Sequence, residues 1–335
     1  MQMAENNTQP LLEVKNLKKY FKLKTKGTLH AVDNVSFNIL PGETVGLVGE
    51  SGCGKSTVGN LLMKLLSTTE GEVRFKGENI IGTKGAKDME FRKKMQIIFQ
   101  DPFSSLNPQK TVRTILAEPF TIHKLCKTQE EMNKKIEYYA ALVGLEEYVL
   151  DKFPHELDGG RRQLVGIARA LTLSPEFIVC DEPVSSLDVS IQANIINLLM
   201  DLQKKFNLSY LFISHDLSVV RHISNRIAVM YLGQIVEIAE TDEIFNNTLH
   251  PYSLALLSAV PKIDLDNKSQ RIILNGDVPN PINPPSGCRF AARCWMAKDI
   301  CKQKSPVLTE VEPNHCVACH FYKESRQEMK KRNTQ

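Results

Sequence analysis

The 335 residues predict an α/β fold organised around a phosphate-binding loop, and two observations carry that reading. Gly49-Glu50-Ser51-Gly52-Cys53-Gly54-Lys55-Ser56 fits G-x-x-x-x-G-K-[ST], with an apolar strand pattern at Thr44–Val48 before it and the helically spaced VGNLLMKLL after it. A P-loop requires that strand–loop–helix setting. The second observation is a set of short apolar runs that each end in a polar or charged residue. Gln96–Phe99 delivers Gln100, Phe177–Cys180 delivers Asp181-Glu182, and Tyr210–Ile213 delivers Ser214-His215-Asp216. Ligands of open α/β sheets bind at the carboxyl ends of strands.

Composition is that of a soluble globular chain, with 24% charged residues and a formal charge of +4. That charge is too small to argue for nucleic acid as a partner. No apolar run approaches the length of a membrane span, and MQMAENNTQP lacks the features of a signal peptide. Any membrane role is therefore expected to come through a partner.

Taken in order, residues 1–10 are polar and expected to fray. Leu11–Val14, Ser36–Ile39 and Thr44–Val48 read as strands, with Pro41-Gly42 turning between the last two. Leu17-Lys18-Lys19-Tyr20-Phe21 lies between the first two, and Tyr20 is a candidate to stack on adenine. Gly71–Phe75 and Gln96–Phe99 read as further strands. Residues 101–156 form a helical insert, in which Thr128-Gln129-Glu130-Glu131 is a capping box and Met132, Ile136, Tyr139, Ala140 and Val143 mark one face. Leu157-Asp158-Gly159-Gly160-Arg161-Arg162-Gln163 opens a helix with Leu164, Ile167, Ala168 and Leu171 on one side. Ser185-Ser186-Leu187-Asp188 leads into another. Arg226–Met230 and Gln234–Ala239 form a hairpin around Leu232-Gly233.

The chemistry follows from residue type and placement. Glycines at 49, 52 and 54 let the backbone N–H groups of the loop, through Ser51 and Cys53, curl inward on phosphate, with Thr57 in the first turn of the helix. Lys55 reaches the β- and γ-phosphates, and the Ser56 hydroxyl binds Mg²⁺. Asp181 holds the Mg²⁺ shell and Glu182 orients or deprotonates the attacking water. Gln100 swings an amide between Mg²⁺ and a mobile loop, and His215 donates to the γ-phosphate.

Tyr20, the P-loop, Gln100, Gly159-Gly160, Asp181-Glu182, Asp188 and His215 occur in the order seen in ATP-binding-cassette (ABC) ATPases, which residues 11–255 resemble. Phe99-Gln100-Asp101-Pro102-Phe103-Ser104-Ser105-Leu106-Asn107-Pro108 and His250-Pro251-Tyr252 are similar to the oligopeptide/dipeptide/nickel importer branch, as is the cysteine-rich tail. The resemblance implies a RecA-like P-loop ATPase core with an antiparallel β subdomain and a helical subdomain at about 101–171, the whole spanning 1–258. It implies a small Cys-rich lobe at 259–325 and a charged tail at 326–335. It further implies a peripheral ATPase on the cytoplasmic face of the membrane, driving import of di- or oligopeptides through two permease subunits. A second ABC ATPase and, indirectly, an extracytoplasmic solute-binding protein complete the assembly. Each ATP would lie between one subunit's P-loop and the other's Gly-Gly signature turn, with Asp188 among the nucleotide-binding residues. Nickel or another small solute is the alternative cargo, and a regulatory ATP-binding subunit with little turnover is the alternative role.

One departure stands out. The family's signature turn reads Leu-Ser-Gly-Gly-Gln, whereas here it is Leu157-Asp158-Gly159-Gly160-Arg161. Asp158 still caps its helix, but its carboxylate faces the place where a γ-phosphate docks. Two unit charges about 4 Å apart interact by about 4 kcal/mol at an effective dielectric near 20. Arg161 and Arg162 are candidates to offset that charge or hold Asp158 away.

Five of the eight cysteines fall between Cys288 and Cys319, after the extended PNPINPP linker at 279–285. By the resemblance, Cys288, Cys294, Cys301 and Cys319 hold a [4Fe–4S] cluster, with Cys316 as a substitute fourth ligand. Zn²⁺ on four thiolates is the chemical rival, because Cys316-Val317-Ala318-Cys319 is itself a zinc-type pair, and free thiols are the remaining alternative. A Pro-rich lobe with few apolar residues needs such a staple.

Overall fold

A computed structural model describes residues 9–24, 27–260, 272–274, 276, 279 and 281–333. Most of the polar N-terminal stretch, Asn280 of the linker and the last two residues of the tail lie outside the described residues.

The chain opens with β1 (Leu12–Leu23), β2 (Gly27–Ile39) and β3 (Thr44–Val48), and the P-loop leads into α1 (Lys55–Leu62). Next come β4 (Glu70–Phe75), β5 (Glu78–Asn79), α2 (Gly85–Lys94) and β6 (Met95–Ile98). The helical insert holds α3 (Pro102–Ser105), α4 (Val112–Ile122) and α5 (Gln129–Leu142), followed by α6 (Gly159–Leu171). Then come β7 (Phe177–Asp181), α7 (Val189–Phe206), β8 (Ser209–Ser214), α8 (Leu217–Ile223), β9 (Arg226–Tyr231) and β10 (Gln234–Glu240). The remainder carries α9 (Thr241–Asn247), α10 (Pro251–Ser258), α11 (Asp299–Gln303), β11 (Thr309–Glu312), β12 (His315–Val317) and α12 (Tyr322–Asn333).

These elements fall into two compact units. The first is built mainly from Gly82–Ile213. Its strands β6, β7 and β8 are parallel, with Met95 opposite Phe177 and Phe177 opposite Ser209. Every residue of β7 and β8 is buried, which is why these runs are continuously apolar rather than alternating. Helices α4, α5 and α6 pack on one another, burying Ile115, Leu116, Phe120, Ile136, Ala140 and Ile167. The cap of α5 differs from the expected box. Thr128 accepts from the Glu131 N–H at 3.2 Å, but the Glu131 carboxylate accepts from Lys127 N rather than Thr128 N. The α6 face also needs correction: Leu164 is only half-buried, while Val165 and Ala170 join Ile167, Ala168 and Leu171 inside. A helix covered on most sides hides its own periodicity. Helix α7 ends where Asn207 turns left-handed at φ 52°.

The second unit comprises Leu12–Asn38, Thr44–Ile81 and the chain from Ser214 onward. One sheet runs β2-β1-β4-β5, with β1 and β4 antiparallel and Leu12 and Val14 opposite Phe75 and Val73. Here β1 and β2 are far longer than the sequence suggests, so Tyr20 sits within β1 and not in a connection. A register shift between Lys15 and Lys18, with Asn16 at φ 47°, breaks the alternation that would have revealed the strand. In the other sheet β3 and β9 pair in parallel, and β9 and β10 form the expected hairpin. Leu232 and Gly233 both have positive φ, as a tight hairpin turn of matching twist demands.

The cysteine-rich segment adds the β11–β12 hairpin to the β10 edge, with Glu237 opposite Val317. Glu237 is wholly buried there. It accepts from the Thr248 hydroxyl (2.8 Å) and the Leu249 and His250 N–H groups (2.5 and 3.1 Å), and shares a 2.8 Å bond with His315 Nε2. Burial alone would raise its pKa. The bonds from His315 and the backbone outweigh that and hold the carboxyl below its usual value.

Candidate functional site

In the second unit the P-loop is shaped by close backbone approaches. A Cβ on Gly49 would lie 2.1 Å from the Met230 carbonyl, and one on Gly54 2.2 Å from the Ala31 carbonyl, both at positive φ. Only glycine fits either position. Lys55 is 5% exposed and its ammonium donates to the carbonyls of Gly49 (2.8 Å) and Glu50 (3.1 Å), which sets its charge inside the loop. Ser56 and Thr57 follow in the first turn of α1, half-buried, with Ser51 and Gly52 exposed at the loop's tip. Burial pushes the Cys53 thiol up, so it is a packing group.

Tyr20 belongs to the same unit. Its ring stacks on His30 with centroids 4.0 Å apart, and its hydroxyl donates to Asp33 at 2.5 Å. Burial and that bond raise the phenol's pKa. Asp33 N–H donates to Gly233 O, and Gly233 N–H donates to Cys53 O, each at 2.8 Å. Hydrogen bonds thus tie Tyr20 to the P-loop. His215 follows β8 directly and is exposed.

The first unit brings together two of the predicted residues. Gln100 Nε2 donates to Glu182 Oε2 at 3.0 Å, joining the residues that follow β6 and β7. Glu182 has φ 45°, and its N–H donates to Ile213 O at 2.9 Å. A non-glycine residue held left-handed just past a strand is strain of the kind that concentrates at working sites. Asp181 closes β7 at 7% exposure.

The altered turn is in the first unit as well. Asp158 caps α6 by accepting from Arg161 N–H at 2.8 Å, and its other oxygen pairs with the Arg161 guanidinium at 3.3 Å. Arg161 also reaches Glu146 at 3.3 Å. Arg162 bonds to the carbonyls of Leu157 and Asp158 and leaves the carboxylate alone. Space around the two glycines is tight: a Cβ on Gly160 would meet Ile191 at 3.0 Å and one on Gly159 would meet Leu187 at 3.2 Å. The turn therefore packs on the segment carrying Asp188, which sits at the N-terminus of α7.

Cys288, Cys294, Cys301 and Cys319 line a single apolar pocket with Phe290 and Phe321. Cys316 is not in its lining; its thiol lies near Glu310 and Arg226. Backbone N–H groups aim at three of the pocket sulfurs: Phe290 and Ala291 at Cys288, Met296 at Cys294, and Phe321 at Cys319 (3.3 Å). Burial nevertheless pushes the Cys294 thiol up to about 11 and that of Cys319 up to about 12. All eight cysteines are free of disulfides.

Sequence reasoning missed four participants in these networks: Asp33, Glu50, Arg289 and Arg293. Arg289 bonds to Asp33 and the Leu232 carbonyl, and Arg293 pairs with Glu50 at 2.8 Å. The only signal was two arginines inside CRFAARC, and nothing local says what they reach.

The family model described as "ABC transporter" matches residues 32–185, and "Oligopeptide/dipeptide transporter, C-terminal region" matches 236–301. The chain is 51% identical over 329 residues to the oligopeptide transport ATP-binding protein AppF of Bacillus subtilis, covering 96% of this chain and all of the relative. It is 53% identical over 266 residues to OppF of the same organism, covering 79% of this chain and 87% of the relative. Among solved structures it is similar to the ATP-binding cassette MJ0796 in a dimeric post-hydrolysis state with ADP and Pi. That match has a TM-score of 0.64 and 29% identity, covering 69% of this chain and 98% of the other. The chain is an ATP-hydrolysing member of the ABC transporter family, in its oligopeptide/dipeptide branch.

Proposed function

We propose that this chain is a motor subunit that couples ATP hydrolysis to uptake of di- or oligopeptides through membrane permease subunits, working opposite a second, different ABC ATPase. The relatives named as oligopeptide transport proteins support peptide over nickel as cargo. Among the described residues no helix is long and apolar enough to cross a membrane; this chain is read as peripheral on the cytoplasmic face, against two membrane permease subunits supplied by partners. The core is read as 1–258, with the cysteine region at 259–325 acting as its extension.

The observation that carries the motor reading is the Gln100–Glu182 hydrogen bond. Glu182 is the carboxylate that orients or deprotonates water, and Gln100 holds it until nucleotide arrives. Ser56, Asp181 and Gln100 offer hydroxyl, carboxylate and amide oxygens, a hard donor set that suits Mg²⁺. Lys55 and the loop N–H groups bind the phosphates, Tyr20 stacks on adenine, and His215 contacts the γ-phosphate. This arrangement disfavours a regulatory subunit without turnover. ATPase assays of the assembled complex test it: a Lys55→Ala variant should lose ATP binding, and near-normal turnover would overturn the reading.

Asp158 supports the choice of a different partner. Its ion pair with Arg161 is largely exposed, with side chains 56% and 43% accessible, so it cancels little of the repulsion toward a γ-phosphate. A homodimer would place Asp158 at both ATP sites. A partner with an intact serine turn would leave one competent site, built on Lys55, Glu182 and His215 here.

The pocket lining supports a [4Fe–4S] cluster bound by Cys288, Cys294, Cys301 and Cys319 in preference to one using Cys316. Tetrahedral zinc with Zn–S near 2.3 Å needs sulfurs about 3.8 Å apart. Among the described residues the group of three potential ligands gathered within 4.8 Å is Glu243, Glu312 and His315, and no trio of cysteines is that close. Four thiolates each on a separate iron stand wider, and N–H groups aimed at sulfur stabilise such clusters. The cluster's contribution would be to staple this segment.

A further inference from the structure

Between Cys288 and Cys294 the chain reads Cys-Arg-Phe-Ala-Ala-Arg-Cys; Arg289 is buried, and Arg293 is half-buried with its side chain 9% exposed. Burying a guanidinium is costly unless it is paired. Each of these pairs with a carboxylate of the nucleotide cradle in the same unit. Arg289 bonds to Asp33, which receives the Tyr20 hydroxyl at 2.5 Å. Arg293 pairs at 2.8 Å with Glu50, whose own N–H donates to the Tyr252 hydroxyl at 2.9 Å. Between them Phe290, 1% exposed, wedges edge-on against Tyr231 and packs on Tyr252, with centroids 5.2 and 5.4 Å away.

Glu50 is the second residue of the P-loop, and an unpaired carboxylate there would repel a triphosphate. Tyr20 can stack on a base only if its ring is held in place, and the Asp33 bond fixes its far end. We propose that Arg289 and Arg293 are positioning residues for the ATP site. Arg289 fixes Tyr20 through Asp33, and Arg293 holds the Glu50 carboxylate away from the phosphates. The two arms differ in what they govern: Arg289 acts on the base and Arg293 on the phosphates. Because the turn's ends are the cysteines at 288 and 294, whatever holds those thiols also holds the clamp. The proposal rests on the reading that Tyr20 contacts adenine and Lys55 the phosphates.

The test measures affinity of the full chain, purified anaerobically, for Mg·ATP and for Mg·tripolyphosphate, by competition against a fluorescent ATP analogue. Iron content and nucleotide-free melting serve as folding controls. Arg289→Gln should weaken ATP about tenfold and leave tripolyphosphate unchanged, whereas Arg293→Gln should weaken both about tenfold, within the usual range of site coupling. Arg293→Gln with Glu50→Gln should restore both, because no charge is then left unpaired. This pair also serves if the single variant fails to fold. Unchanged affinities in Arg289→Gln and Arg293→Gln, or a double variant that still binds poorly, would overturn the clamp. Tyr20→Ala and Lys55→Ala separate the two levels: if they too leave ATP binding unchanged, the site reading itself fails.

Discussion

The amide of Gln100 donates to the carboxylate of Glu182 at 3.0 Å, although the two lie 82 positions apart in sequence. Parallel pairing of β6 with β7 brings their carboxyl ends side by side, with Ile98 opposite Cys180, and each strand is followed within two residues by its site residue. On the proposed reading of Glu182 as the base, the bond occupies an oxygen that could otherwise hold the attacking water, and Gln100 would release it before hydrolysis.

Glu182→Gln should therefore keep Mg·ATP binding while lowering turnover of the assembled transporter by at least about a hundredfold, the usual scale for a general base. Gln100→Ala should cost less in turnover than Glu182→Gln, because it removes a partner and not the base. Steady-state ATPase rates and equilibrium ATP binding on the same preparations check both. A Gln100→Ala loss as deep as that of Glu182→Gln would contradict the division of roles.

For the cysteines, Cys319→Ser should abolish the cluster and Cys316→Ser should leave it intact. Anaerobically purified wild type should be brown and carry about four irons per chain. Iron and sulfide analysis with visible absorption decides the matter. Stoichiometric zinc without visible absorption would favour the rival metal, and loss of iron from Cys316→Ser would reverse the choice of ligand.

Glu237 makes a prediction about stability. Its folded pKa is depressed, so its contribution is fully present above the unfolded carboxyl value of about 4.3 and is lost as pH falls through the folded value. Glu237→Gln should destabilise by about 2 kcal/mol or more at pH 7, since a buried charge-assisted network loses its acceptor. The gap between wild type and variant should narrow in acid. Denaturant melts at pH 7 and pH 4 measure it, and a gap that widens on acidification would be the wrong sign.

What could be read from the sequence divides along physical lines. β3, β7 and β8 were legible because strands buried on both faces are continuously apolar, and the P-loop because its glycines answer local steric demands. β1 was legible only at its start, Leu11–Val14, since a bulge at Asn16 and the charged Leu17–Phe21 run mask the alternation beyond it. The arginine clamp was illegible for a different reason. Arg289 and Arg293 find their carboxylates 256 and 243 positions away, and no local pattern encodes a partner at that distance. Asp158 is the intermediate case. Its capping role follows from residue type, but its pairing with Arg161 and the neutrality of Arg162 toward it depend on how the turn is built.

The central claim is that one ATP site of a heterodimer, the one built on this chain's Lys55, Glu182 and His215, does the hydrolysis. The other meets Asp158 across the interface. Changing the catalytic glutamate to glutamine in one subunit at a time, and measuring ATP turnover of the reconstituted transporter, tests this most directly. The account predicts loss of turnover from Glu182→Gln here and little effect from the matching change in the partner. Equal losses from both would contradict it.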